Sequence, residues 1–136
     1  MEGRTRLIQG YVAFVLHAHL PYVRHPEQDD FLEERWLYEA ISETYLPLID
    51  LFRTLKKEKI HCSITMSISP TLLTMLADPL LQARYIRYLD RMMALTSKEM
   101  ERTANQADFY PLAVWYHEKY KHDRHLFQNV YNCDIV

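Results

Sequence analysis

From Gly10 to Leu20 the chain reads GYVAFVLHAHL, almost continuously apolar. A run this short and this apolar predicts a strand covered on both faces, as in a parallel sheet. Residues His19 to Asp30 carry Pro21, Pro26 and a cluster of charges, which predicts a loop. From Phe31 to Lys59 the period lengthens: Leu32, Trp36, Leu37, Ala40, Ile41, Tyr45, Leu48, Leu51, Phe52 and Leu55 recur near helical spacing. Pro47 falls inside this run and predicts a kink, since it removes a backbone donor and crowds the preceding turn. Lys56, Lys57 and Lys59 suit the negative pole at the helix end.

The period then shortens to two. In IHCSITMSIS, Ile60, Cys62, Ile64, Met66 and Ile68 alternate with His61, Ser63, Thr65, Ser67 and Ser69. This predicts a strand with one apolar face and one small polar face. Pro70 opens a short helical turn, TLLTML. Asp78-Pro79 marks the next helix start, an N-cap followed by proline at the first helical position, and that helix should run to about Ala104. After a loop at Asn105–Tyr110, Pro111 begins a helical pattern reaching at least Val130, and Asp134 reads as the opening of another helix. Strand, helix, strand, helix, helix is the order of an α/β fold, with two parallel strands joined by a crossover helix as part of a sheet or barrel. Two strands are too few to close a barrel, so residues 1–136 are expected to be the beginning of a larger domain.

A length of 136 residues allows one domain, and 49% hydrophobic with 25% charged residues is the composition of a globular protein. Sixteen Lys+Arg against eighteen Asp+Glu leave a net charge of −2, with no basic excess to attract nucleic acid. There is no GxGxxG and no Walker loop, which excludes nucleotide binding by those routes. Cys62 and Cys133 form neither a disulfide framework nor a zinc-site spacing. The longest uncharged apolar-rich run, Gly10 to Tyr22, is too short for a bilayer and lacks a signal-peptide cleavage site. A cytoplasmic protein without a membrane partner is expected.

Candidate chemistry begins at His17-Ala18-His19. Residues two apart on a strand point to the same side, so both imidazoles should project together at the carboxyl end of the first strand. That is where α/β folds place their sites. Val12, Phe14 and Leu16 should face a helical layer instead. On the second strand Ser63, Thr65, Ser67 and Ser69 should line the same mouth as the histidines, with Pro21 and Tyr22 turning the chain over it. Two other readings stand beside this one. The pair could merely bond a loop, or it could begin a metal site of the kind found in amide hydrolases, which needs further His or carboxylate ligands. His117, His122 and His125 are read as part of a solvated helix face with Glu118, Lys119, Lys121, Asp123 and Arg124. His61 and His25 are read as structural or exposed. Tyr38 and Trp115 are expected in the core; Trp36, following the loop, is the candidate sugar platform. Glu33, Glu34 and Glu39 are expected to be solvated charges. No GxSxG elbow supports serine catalysis.

The stretch GYVAFVLHAHLPYVRHPE, followed by ERWLYEAISETYLPLIDLF and SISPTLLTML, closely resembles the N-terminus of glycoside hydrolase family 57, in particular its α-1,4-glucan branching enzymes. The resemblance rests on the HisXHisXProTyr element, the Trp-Leu-Tyr-Glu-Ala helix opening and the Ser-Pro-Thr-Leu element. It implies an incomplete (β/α)7 barrel acting on α-glucans by a retaining mechanism, in which one carboxylate attacks the anomeric carbon and another protonates the leaving oxygen. It implies no cofactor and no metal. A branching enzyme passes the glucosyl-enzyme intermediate to the 6-hydroxyl of another glucan. The family's first motif falls on His17 and His19, with an implied role in bonding sugar hydroxyls; its second falls on Ser67 to Leu72, at the floor of the cleft. Tyr22, Trp36 and Ser69 complete the expected substrate-binding set. The family's nucleophilic Glu and acid/base Asp lie in later motifs, beyond Val136, and no Glu or Asp here matches either. The chain alone is expected to be inactive and prone to self-association. Amylases and 4-α-glucanotransferases of the family are the alternative, although they tend to carry His-Gln-Pro where this chain has His-Ala-His.

Overall fold

The computed structural model describes residues 10–136. Strands β1 (Val15–Ala18) and β2 (Thr65–Ile68) pair in parallel, with Val15 opposite Thr65 and His17 opposite Ser67. Bonds from Thr65 N to Phe14 O and from Ser69 N to Ala18 O, each 3.0 Å, continue the ladder one step at either end. Between the strands lie α1 (Leu32–Ala40), a π-helical turn at Ile41–Tyr45 and α2 (Leu46–Lys57). After β2 come α3 (Pro70–Leu76), α4 (Pro79–Thr103) and α5 (Tyr110–His125), the last running into a second π-helical turn at Leu126–Val130.

Both strands are shorter than the runs that predicted them. A strand extends only as far as it has a partner, and among the described residues each of these has one. Coverage on both faces is not found either: Val12 is 84%, Phe14 63% and Val15 69% exposed, and of this run only Ala18 and Leu20 pack against the core. The core sits among the helices instead, built from Leu37, Tyr38, Leu46, Leu72, Met75, Tyr85, Leu89 and Phe127, with Tyr85 edge-on to Phe127 at 4.8 Å.

The expected kink at Pro47 takes the form of the π-helical turn just before it. Leu46 N–H reaches back five residues to Ile41 O. Pro47, one step on, has no N–H to offer Ser42 O, and Lys119 Nζ donates to that carbonyl at 2.9 Å. Helix α2 stops in a left-handed residue, Lys59 at φ 58°, with Lys59 N bonding Lys56 O and Ile60 N bonding Leu55 O. That pair of bonds is a Schellman motif. Helix α3 is capped by Ser69 Oγ, which accepts from Leu72 N. Helix α4 is capped by Asp78, which accepts from Leu80 N at 2.8 Å and Leu81 N at 3.1 Å. Asn132 and Cys133 both adopt positive φ, 52° and 65°, which turns the chain out of the path of the preceding helix; from Asp134 only three residues remain, too few for the expected helical turn to form there.

Tyr38 is in the core as expected, but Trp115 is not; it is 56% exposed and stands edge-on to Tyr116. The face that α5 and its continuation turn inward runs through His117, bonded to Thr96 Oγ1, then Tyr120 and Phe127. Trp115 lies two residues off that line, so helical geometry turns it to solvent.

Candidate functional site

Alternation along two parallel strands brings His17 and Ser67 to one side at paired positions, and His17 Nδ1 lies 2.7 Å from Ser67 Oγ. Whichever atom donates, the bond fixes the ring and leaves Nε2 of His17 without a hydrogen-bond partner among the described residues. His19, just past the end of β1, sets its ring 5.9 Å from that of His17 with only 14° between the planes. Two exposed imidazoles therefore stand side by side at the carboxyl ends of adjacent parallel strands, as the strand period predicts. Hydrogen-bonding edges presented in this way suit a polyhydroxylated ligand.

The other expected members of the site are less closely assembled. Ser69 is half-buried, and its hydroxyl oxygen accepts from the backbone of α3 at 3.3 Å, so its first role is as a helix cap. Tyr22 and Trp36 are 58% and 48% exposed; no ring contact or hydrogen bond joins either to the histidines among the described residues. No carboxylate bonds either histidine there, and no three His, Cys, Asp or Glu side chains converge as metal ligands would. The metal reading of His17 and His19 thus has no third ligand among the described residues.

The loop that leaves the histidine pair is held by side chains. Val23 is buried, and its N–H points at Met75 Sδ. Arg24 Nε donates to Asp78 at 2.6 Å. Burial pushes the Asp78 carboxyl up, but the Leu81 amide, the Arg24 guanidinium and the Leu80 amide outweigh it, and its pKa lies below the ordinary carboxylate value. Further on, Glu34 accepts from His25 N at 3.0 Å, from Tyr38 Oη at 2.8 Å and from Arg84 Nη1. Burial and the bond to Glu34 both push the Tyr38 phenol up. Glu34 is only 1% exposed, so it is not the solvated charge its place on a helix suggested. The Glu34–Tyr38 spacing of four residues is visible in the sequence; the partner Arg84, fifty residues on, is not.

On α5, His122 and His125 are exposed and His117 is half-buried. Lys119 and Asp123 depart from the solvated face assigned to them: Asp123 is 4% exposed and accepts from Lys119 Nζ at 2.8 Å. Burial pushes the Asp123 carboxyl up, with Lys119 opposing it. Both turn inward because the ammonium serves the open carbonyl of Ser42.

A model of the family described as Glycosyl hydrolase family 57 matches residues 13–132. A 1,4-alpha-glucan branching enzyme of Thermococcus kodakarensis is 33% identical over 129 residues, covering 95% of this chain and 18% of that protein. Among solved structures, the alpha-amylase AmyC from Thermotoga maritima matches with a TM-score of 0.85 and 42% identity, over 94% of this chain and 24% of its own. A GH57-type branching enzyme from Pyrococcus horikoshii matches at 0.81 and 28% identity, over 90% of this chain and 23% of its own. The chain spans less than a quarter of the length of each of these proteins.

Proposed function

The chain belongs to glycosyl hydrolase family 57, and from that membership we propose that residues 1–136 form the histidine-bearing N-terminal segment of a (β/α) barrel domain that branches α-1,4-glucan. The observation that carries this reading is the side-by-side presentation of His17 and His19 on paired parallel strands, with Ser67 fixing one ring. Their free ring nitrogens bond the hydroxyls of a glucosyl unit. Tyr22 and Trp36 offer exposed aromatic faces to its apolar C–H face, and Ser69 sits at the floor. In this reading the nucleophilic Glu and acid/base Asp are those of the family's later motifs, which no Glu or Asp of this chain matches. With carboxyl groups roughly 5 Å apart the reaction is retaining. A covalent glucosyl intermediate then passes to a 6-hydroxyl. No cofactor takes part in that chemistry, and the partner is an α-glucan rather than nucleic acid or a membrane. No helix among the described residues is long and apolar enough to cross a bilayer. Two free cysteines, Cys62 and Cys133, fit a reducing compartment, and we place the protein in the cytoplasm. A second reading, α-glucan hydrolysis, is favoured by the 42% identity to the Thermotoga alpha-amylase.

The test uses an enzyme carrying this N-terminus, with amylose as substrate. Branching lowers the iodine stain without matching release of reducing ends; hydrolysis releases them. His17→Ala and His19→Ala should each slow turnover roughly 30- to 1000-fold, the worth of about 2–4 kcal/mol of transition-state bonding, with little change in melting temperature. Unchanged turnover in both variants would mean that the pair is structural. The 136-residue chain assayed alone should give no turnover; activity from it would contradict the placement of the carboxylates.

A further inference from the structure

The segment from His19 to Asp30 makes few backbone bonds of its own. Among the described residues the single internal one is Gln28 N to His25 O, at 3.3 Å. Pro21 and Pro26 withhold two donors. Other contacts must therefore decide its course: Val23 N–H points at Met75 Sδ, Arg24 pairs with Asp78, and one buried side chain holds the turn that follows. Arg84, on α4 and 3% exposed, donates from Nη1 to His25 O at 3.0 Å and from Nη2 to Gln28 O at 2.6 Å. Nη1 also bonds Glu34, which in turn accepts the His25 amide. One planar fork thus holds the carbonyls at the two ends of the His25–Gln28 turn, and its counter-ion holds the His25 amide at the start of it. A lysine, being a point charge on a flexible stem, has no such fork.

Energetics point away from a purely stabilising role. A buried ion pair loses hydration that its attraction barely restores, and apolar replacements of such pairs are often neutral or better. What an apolar pair would not do is hold two loop carbonyls in a set geometry. The held turn begins three residues beyond Tyr22, past the anchors of Val23 on Met75 and Arg24 on Asp78, and on the other side of Tyr22 the chain leaves β1 at Ala18. We propose that Arg84 is a positioning residue: by holding the His25–Gln28 turn it completes, with the anchors at Val23 and Arg24, the path of the loop that carries Tyr22. The inference rests on the glucan reading for its consequence, but not for its mechanical part.

Two measurements separate those parts. Amide hydrogen exchange on the 136-residue protein tests the mechanical part. Arg84→Lys keeps the charge and loses the fork. The neutral double variant Arg84→Met with Glu34→Gln removes the buried charges together, in case the single variant folds poorly. In whichever variant folds, the amide of Gln28 should exchange at least ten-fold faster while those of Leu81 and Leu89 on α4 hold their rates. Wild-type exchange at Gln28 in a folded variant overturns the clamp. Kinetics on amylose, in the longer enzyme, test the consequence. Arg84→Lys should raise KM about five-fold with kcat nearly unchanged, and should add nothing in a Tyr22→Ala background, since both act on one contact. Fully additive effects, or an unchanged KM with a loosened loop, would overturn the positioning role. A longer enzyme without activity on amylose would instead count against the proposed function, and the exchange result would stand by itself.

Discussion

At the scale of single residues, the shared face of His17 and Ser67 was legible and the pair Glu34–Arg84 was not. Alternation by two places side chains on a face, and parallel pairing follows from one crossover, so histidines and hydroxyls on one face could be expected from the pattern, while the register that sets His17 opposite Ser67 comes from the pairing itself. What alternation cannot give is a bond between a helix and a residue fifty positions away, and so the burial of Glu34 and the inward turn of Asp123 were missed. Trp115 shows the same limit, because an aromatic on a helix is core only if its own face is covered. The bond from Ser67 to His17 carries a prediction. In an enzyme with this N-terminus, Ser67→Ala should slow turnover about 3- to 10-fold, the worth of one neutral hydrogen bond. Ser67→Thr, which keeps the hydroxyl, should restore most of the rate. A threonine variant as slow as alanine would show that space, not bonding, matters at that position.

At the scale of elements, helix bounds were legible to within a residue or two, while both strands begin five residues later than their apolar runs. Asp78-Pro79 predicted the first turn of α4 because capping chemistry is local, and the structure supplies both amide bonds. Lengths of strands depend on partners, and the stops at Lys59 and Asn132–Cys133 use left-handed conformations that no glycine announces. The cap allows a test by acidity. The folded pKa of Asp78 lies below the ordinary value, so its charge stabilises the fold above the unfolded carboxyl range, near pH 4, and that gain disappears as pH falls through the folded pKa. Asp78→Asn keeps a capping acceptor but loses the charge that pairs with Arg24 and the helix pole. Thermal unfolding should show the variant less stable by about 0.5–1 kcal/mol at pH 6, and the gap should close toward about pH 2. A gap independent of pH would assign the effect to packing.

At the scale of the whole molecule, the order of elements was legible, but the position of the core was not. A sheet-centred core was expected, whereas the buried side chains gather between helices and leave Val12, Phe14 and Val15 open beside two single-partner strands. Such apolar surface, next to unpaired backbone, favours association. Light scattering on the purified chain should give a mass that rises with concentration, and Phe14→Lys with Val15→Lys should return it toward the monomer. A monomer at all concentrations would contradict this. The parallel pairing also has a consequence in time. His17 and its partner Ser67 are 50 residues apart, and at roughly 5–20 residues per second a ribosome needs about 3–10 s to make that interval. For those seconds the first strand of each newborn chain has no ladder to join, and its apolar run is a segment on which a chaperone can act.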